Sequence, residues 1–355
     1  SDMSASPMSL PLVDGFDALL FDLDGVVYVG PDAVPFAAEA IAAARDRGVS
    51  CCFVTNNAAR PARQVAEHLS ELGVTATADD VVTSPQAAVS LLPGHVADGA
   101  RVLVIGGMGI VEALEARGYV PVRSLDDGPA AVMQGYSPDL SWRDLAEATF
   151  AVRSGLPWIA TNPDLTFPTQ RGVAPGNGAF VQVVAQTAGR PPDAVAGKPE
   201  PPLLHEAVRR TGAVRPLMVG DRLDTDIAAG TRVGIPTLLV FTGVTTFDEV
   251  VGAIPEERPT YLGYDLRVLL EPYPEVTCTD EQSRCRQWTA TVVGRGIAVD
   301  GPTESGPWDG LRAVAALAWR RADRGVVLEV DAALSRLREL AHAPAPEGGY
   351  GGTPA

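Results

Sequence analysis

The sequence is poor in positive charge, and in lysine above all. Its 355 residues carry 28 basic side chains against 44 acidic ones, a formal charge of −16. A field of that sign repels DNA and RNA, so no nucleic-acid partner is expected. Of the 28 basic residues, 27 are Arg and one is Lys, at position 198. In a chain that takes Arg as its default cation, the lone Lys needs a reason. Cysteine is scarce too: Cys51, Cys52, Cys278 and Cys285 are all there are. No C-x-x-C occurs, which excludes a zinc ribbon and a thioredoxin-type site. Adjacent Cys51 and Cys52 could pair only with backbone strain. Thiols this sparse fit a reduced, cytoplasmic protein, with Cys278 and Cys285 read as exposed thiols rather than a pair. His68, His95, His205 and His342 are scattered and suggest surface positions, not metal ligation. No basic residue precedes Arg45, so no signal peptide is expected. No apolar run is long enough to cross a bilayer, so no membrane insertion is expected either.

What is present is an alternating pattern. Apolar residues make up 46% and charged residues 20%, a globular composition, and the length suits two to three domains. Apolar runs at 17–21 and 49–54 alternate with helical patterns at 35–47 and 61–72. The pattern restarts at 101–105, with a helix to about Arg117, runs at 130–133 and 157–160, and helices near 141–154 and 178–188. After the break Gly189-Arg190-Pro191-Pro192 come a helix near 200–211, a strand at 216–219, a helix at 224–233 and a strand at 237–241. Such alternation predicts an α/β fold with parallel sheets and crossover helices. Beyond Leu270 the composition changes. Residues 271–287 read as a linker, 288–298 as a strand pair or bent strand, 308–322 as an amphipathic helix, Val326–Val330 as a strand and 331–341 as a helix. The Pro/Gly-rich tail, 343–355, reads as disordered.

Four short segments carry chemistry. They are Phe21-Asp22-Leu23-Asp24-Gly25, Val54-Thr55-Asn56-Asn57, Gly197-Lys198-Pro199 and Val219-Gly220-Asp221-Arg222-Leu223-Asp224-Thr225-Asp226. Three of them sit where an apolar run stops, and in an open parallel sheet such strand ends converge on the ligand-binding edge. There Asp22, Asp24, Asp221 and Asp226 would crowd together, which is unfavourable without a cation. Hard carboxylate oxygens without His or Cys favour Mg²⁺. An acidic metal cluster beside hydroxyl, amide and ammonium donors is suited to phosphate transfer. Taken singly, each segment is ordinary: an Asp-x-Asp-Gly turn, a Thr-Asn-Asn helix cap, an acidic helix start. The ordered set of four is not.

Together these segments resemble the motifs of the haloacid dehalogenase superfamily of phosphotransferases, over about residues 16–270. The resemblance implies a Rossmann-like parallel-sheet core (12–84 and 193–270), an inserted α/β cap (85–192), the linker 271–287 and a small C-terminal α/β appendage (288–342). The cap resembles that of the nitrophenylphosphatase and phosphoglycolate phosphatase subgroup, in Thr161-Asn162-Pro163-Asp164 and Pro175-Gly176-Asn177-Gly178. By resemblance Asp22 is the nucleophile and Asp24 the general acid and base. Mg²⁺ would take Asp22, the Asp24 carbonyl and Asp221. Gly25, Thr55, Asn56 and Lys198 would hold the phosphate, with Asp226 behind Lys198 or a metal-bound water. Asn162, Asp164, Arg171 and Asn177 are the candidate cap contacts to substrate.

The implied activity is hydrolysis of a small phosphorylated metabolite. The appendage resembles a partial acetyltransferase-like unit attached to a glycerol-phosphate-hydrolysing branch of the superfamily. Glycerol 3-phosphate is therefore the first substrate expected, ahead of phosphoglycolate, pyridoxal phosphate and aryl phosphates. Acetyl transfer is not expected, because Gly294-Arg295-Gly296 is preceded by Thr291 where a pyrophosphate-binding turn needs Arg or Gln. A Walker loop is excluded by Pro192 and Pro199, and a dinucleotide turn by Glu112 at its third glycine position. Two non-enzymatic readings stand beside this one, a phosphate-binding regulator and an interaction scaffold. Self-association stays open.

Overall fold

The computed structural model describes residues 9–304 and 306–341. The tail 343–355, read as disordered, and His342 lie outside the described residues. Three sheets organise the chain. The first has six parallel strands in the order Tyr261–Gly263, Thr237–Val240, Pro216–Gly220, Ala18–Phe21, Ser50–Thr55, Val81–Thr83. The chain builds outward from Ala18–Phe21 to one side, leaves, and returns on the other side at Pro216–Gly220. The strand order therefore reverses between these two central strands, which pair Phe21 with Val219. That reversal opens the crevice where α/β sheets bind ligands. Ala18–Phe21 is buried on both faces, as a central parallel strand must be, and this is why it reads as an unbroken apolar run.

The inserted sheet has five parallel strands in the order Ala194–Val195, Trp158–Ala160, Ala131–Gln134, Arg101–Ile105, Val120–Val122. Its helices, Met108–Ala116, Trp142–Arg153 and Asn177–Ala188, fall where the 3.6-residue periodicity places them. One apolar cluster runs from the first sheet (Leu20, Val54, Met218) into the second (Val104, Met133, Ile159). The fold class expected from the alternation is the one found.

The C-terminal region departs from expectation in two places. Residues 271–287 are not a linker along their length. Val276–Cys278 and Gln282–Cys285 are the first two strands of a four-stranded antiparallel meander that continues through Trp288–Val293 and Gly296–Asp300. Gln282-Ser283-Arg284-Cys285 alternates exposed and buried, so its polar face looks outward and its short inward face is easily missed. Cys285 is accordingly buried, not an exposed thiol, and all four cysteines are free. Val326–Val330 is not a strand. It forms an isolated bridge from Glu329 to Gly296, and Val327 is 89% exposed.

The helix Trp308–Ala322 lies across the meander and joins it to the first sheet. Leu239, Phe247, Val250 and Leu262 of the first sheet's flank share one cluster with Trp288, Leu311, Val314, Leu317 and Leu334. Tyr261–Gly263 is an edge strand, whose unpaired groups invite aggregation unless covered. Here the Leu262 carbonyl accepts from Arg312 Nη2 at 2.7 Å, and its N–H donates to the Tyr273 hydroxyl at 2.9 Å. Arg312 is buried, paired with Asp309 at 2.8 Å and stacked on Tyr273.

Candidate active site

The crevice at the strand reversal gathers the four sequence segments. Asp22 follows the first central strand, and its backbone N–H donates to the Val219 carbonyl across the reversal at 2.9 Å. Lys198 arrives on the loop that leaves the inserted sheet. It is 2% exposed, and its Nζ donates to Asp22 Oδ1 at 3.0 Å and to Asp226 Oδ1 at 2.7 Å. Burial works against its charge, but the two carboxylates outweigh burial and hold its pKa above the ordinary value. Asp226 Oδ2 meanwhile accepts from the backbone N–H groups of Asp221 and Arg222, at 3.1 and 3.2 Å. Asp226 thus ties Lys198 to the turn that carries Asp221. Burial, then the Asp22 charge, push Asp226 up to about 6 against the opposing pull of Lys198.

Asp221 is the residue left incomplete. Its Oδ2 accepts from Val244 N–H at 3.1 Å, while its Oδ1 is buried and receives no hydrogen bond. Burial first, and then the charges of Asp22 and Asp226, hold its carboxyl well above the usual range. Oxygens of Asp22, Asp221 and Asp226 lie within 4.8 Å of one another. Asp226 is already committed to Lys198 and two amides, so Asp22 and Asp221 are the carboxylates with capacity to spare. An all-oxygen set with one orphaned buried carboxylate oxygen fits a hard divalent cation.

The remaining residues divide. Asp24 opens to solvent; partial burial lifts its carboxyl above the ordinary value, opposed by a hydrogen bond from the Gly30 amide. Gly25 adopts φ +86°, and a Cβ there would meet Asp221 Oδ2 at 2.3 Å, so both its conformation and its neighbour demand glycine. Thr55 Oγ1 accepts from Asn57 N–H at 3.1 Å, which caps the end of its strand. The Asn56 side chain is spoken for. Its Oδ1 accepts from Lys198 N–H at 2.8 Å, and its Nδ2 donates to the Lys198 carbonyl at 2.9 Å and to Asp164 Oδ2 at 3.1 Å. Only its backbone amide stays available for a phosphate oxygen.

Of the four cap candidates, Asp164 is bonded directly to Asn56, and Asn162 joins the network through Asp164. Burial lifts its carboxyl above the ordinary value, and the hydrogen bond from Asn56 and the Arg222 charge pull the other way. Asn162 donates to Asp164 Oδ2 at 2.9 Å. Asn177 is 1% exposed and donates to the Asn162 carbonyl at 2.9 Å, so it supports the loop from behind rather than facing a ligand. Arg171 sits exposed in the turn between Thr166–Thr169 and Gly172–Pro175, where its N–H donates to Thr169 Oγ1. No described contact ties its side chain to the crevice.

Sequence reasoning missed the loop Thr242-Gly243-Val244-Thr245-Thr246. Besides the Val244 amide, Thr245 Oγ1 donates to the Asp221 carbonyl and Thr242 Oγ1 donates to the Gly25 carbonyl, both at 2.6 Å. A Cβ on Gly243 would fall 1.9 Å from Asp221 Oδ2. The available signal is a Thr-Gly pair directly after an apolar run, the same placement as three of the four motif segments.

Residues 19–120 match the haloacid dehalogenase-like hydrolase family, residues 195–269 a second family of that kind, and residues 285–344 a GCN5-related N-acetyltransferase-like domain. In the structure Gly294-Arg295-Gly296 spans the hairpin turn between two strands of that domain, not a helix start. The chain is 44% identical over 316 residues to the D-glycerol 3-phosphate phosphatase of Mycobacterium tuberculosis, covering 86% of this chain and 87% of that protein. It is 36% identical over 257 residues to an acid sugar phosphatase of Staphylococcus haemolyticus, covering 72% and 95%. A solved glycerol phosphate phosphatase of M. tuberculosis in complex with magnesium superposes with a TM-score of 0.82 at 41% identity, over 93% of this chain and 99% of that one. A mutant thermostable NPPase of Geobacillus stearothermophilus superposes with a TM-score of 0.64 at 35% identity, over 71% and 97%.

Proposed function

The chain belongs to the haloacid dehalogenase-like hydrolases, and from that premise we propose that it hydrolyses a small phosphomonoester with Mg²⁺, with glycerol 3-phosphate the favoured substrate. The observation that carries the chemistry is the buried Lys198 ammonium clamped between Asp22 and Asp226, beside an Asp221 oxygen that has no donor. The substrate choice rests on the D-glycerol 3-phosphate phosphatase relative, whose match extends over most of both chains, the appendage included.

Asp22 attacks phosphorus and forms an aspartyl phosphate as the P–O bond to the alcohol breaks. Asp24 gives its proton to the departing alkoxide, and its raised pKa favours the protonated form this needs. It then takes a proton from water, which attacks phosphorus and frees Asp22 and inorganic phosphate. An ammonium has three donors. Asp22 and Asp226 take one each, which leaves Lys198 one for a phosphoryl oxygen. Gly25, the Thr55 hydroxyl and the Asn56 amide complete the phosphate cradle. When bound, Mg²⁺ neutralises the charge that gathers between nucleophile and phosphoryl group; Asp22, the Asp24 carbonyl and Asp221 would hold it. Asn56 fixes the Lys198 loop through both backbone groups, and Asp164 braces Asn56 from the cap side.

Unpaired cysteines suit a reducing cytoplasm. Among the described residues no helix is long and apolar enough to cross a membrane. The test is phosphate release from glycerol 3-phosphate, phosphoglycolate, pyridoxal phosphate and nitrophenyl phosphate, with and without Mg²⁺. Glycerol 3-phosphate should give the highest kcat/KM, and only with Mg²⁺. Asp22→Asn should lose turnover by on the order of 10⁴-fold while keeping its melting temperature. Substantial Mg²⁺-dependent activity in that variant would refute the covalent mechanism.

A further inference from the structure

We infer that the C-terminal appendage positions the metal-holding Asp221, through Trp308 and the loop Thr242–Thr246. This rests on the reading of Asp221 as a cation ligand and goes beyond it, because it gives the appendage a part in the site. The loop is anchored at its two ends by Phe241 and Phe247, whose ring centroids lie 5.2 Å apart, edge to face. Trp308 closes that pair into a triangle, 5.3 Å from Phe241 and 5.4 Å from Phe247, with Tyr264 at 6.0 Å on its outer side. Edge-to-face and tilted contacts at these spacings are attractive beyond simple burial.

Trp308 is itself immobilised. It opens the 15-residue helix Trp308–Ala322, which is buried along much of its length in the C-terminal cluster. Between the aromatic anchors the loop's other holds are polar: the capping pair of Thr246 with Glu249 and its bonds to Asp221 and Gly25. Gly243 and Val244 face solvent, and the helix that follows, Phe247–Val251, is 5 residues long. Yet this loop supplies the Val244 amide to Asp221 Oδ2, the Thr245 hydroxyl to the Asp221 carbonyl and the Thr242 hydroxyl to the Gly25 carbonyl. Its Gly243 backbone presses so close to Asp221 that a Cβ has no room.

The consequence is directional. Oδ2 is pinned by the loop, so Oδ1 is aimed into the crevice. Loosening the loop lets the carboxylate rotate, and a cation then has to bear the cost of ordering it again. Trp308 touches neither substrate nor metal, so it is a positioning residue. Such outer partners of a ligand are worth about 10–100-fold in metal affinity.

The experiment is calorimetric titration of Mn²⁺ and Mg²⁺ into full-length Trp308→Ala, Trp308→Phe and Leu334→Ala. Leu334 is buried in the same cluster and belongs to the helix Asp331–Ala341, outside the aromatic triangle. Trp308→Ala should weaken metal binding roughly tenfold and raise the Mg²⁺ half-saturation of phosphate release by the same factor. KM for the phosphoester should stay within about twofold of the parent, and Trp308→Phe should recover most of the affinity. Leu334→Ala should lower the melting temperature with metal affinity unchanged. If Trp308→Ala does not fold, Trp308→Phe and Trp308→Leu are compared, and an ordered loss from Phe to Leu is required. Wild-type metal affinity in a folded Trp308→Ala, or an equal loss in Leu334→Ala, overturns the inference. If no phosphoester is hydrolysed but the metal affinities still separate as stated, the proposed function fails and the positioning role stands.

Discussion

The proposed catalytic crevice and the seam beneath the C-terminal appendage meet at the same loop, and they are built on opposite terms. In the crevice, carboxylates of Asp22, Asp221 and Asp226 share a space under 5 Å across, one buried oxygen has no donor, and glycines at 25 and 243 leave no slack. At the seam, apolar side chains from both units interlock, and the exposed edge of the first sheet is closed by Arg312 and Tyr273. The crevice crowds like charges and leaves one buried oxygen without a donor, as the proposed binding and chemistry require. The seam supplies stability and carries no chemistry. Sites that bear function commonly violate the rules that the surrounding structure obeys.

The largest effect should come from removing the seam. A chain ending at Pro274 leaves Phe247, Val250 and Leu262 uncovered and the edge strand without its Arg312 partner. Uncovered edges and apolar patches of this kind aggregate. Expression should give mostly insoluble protein, scored by the soluble fraction and by sedimentation. A monodisperse product with the parental melting temperature would dissolve the contrast and restore the view of the appendage as an independent scaffold.

Next in size is Lys198→Arg, which strikes only the crevice. The ammonium fits between two carboxylates at 3.0 and 2.7 Å in a site that is 2% exposed. A planar guanidinium is wider and its donors are fixed in a fork. Turnover should fall on the order of a hundredfold, with little change in the denaturation midpoint. Near-normal kcat/KM would show that the lone lysine of an arginine-rich chain was a coincidence.

How much of this was legible beforehand follows from the same contrast. Asp22, Asp221 and Asp226 announce themselves because their segments sit where an apolar run stops and because like charges need a reason, and Lys198 because it is the one lysine of the chain. The Thr242–Thr246 loop looks like any Thr-rich turn. Its importance comes from Thr237–Val240 lying beside Pro216–Gly220, with Gly220 opposite Leu239, and no spacing along the chain reveals that pairing. The first strands of the appendage hid behind their polar faces, and Val326–Val330 misled by its β-branched residues. Asn177 and Arg171 were polar enough to suggest ligand contacts. Only the packing shows that one is sealed behind Asn162 and the other stands on an exposed turn.

A shift of only a few degrees is the most discriminating effect, because its sign is unusual. Asp221→Asn removes a charge from the crevice while keeping its shape. The Asp221 carboxyl is raised above its unfolded value, so the native state binds that proton more tightly than the unfolded chain does. Stability contributed by such a group is full below the unfolded pKa and is lost as pH rises toward the folded one. Asparagine has nothing to lose over that window. In metal-free buffer the variant should therefore match the parent near pH 4 and melt a few degrees higher at neutral pH. Its amide can also donate to Asp22, whose carboxylate lies beside it. Adding Mg²⁺ should reverse the order, since the parent gains binding free energy and the variant does not. Phosphate release should be lost throughout. A metal-free variant that melts below the parent at neutral pH would mean that the crowding of carboxylates costs the fold nothing. Crevice and seam would then differ in composition alone, and not in the energetic roles assigned to them.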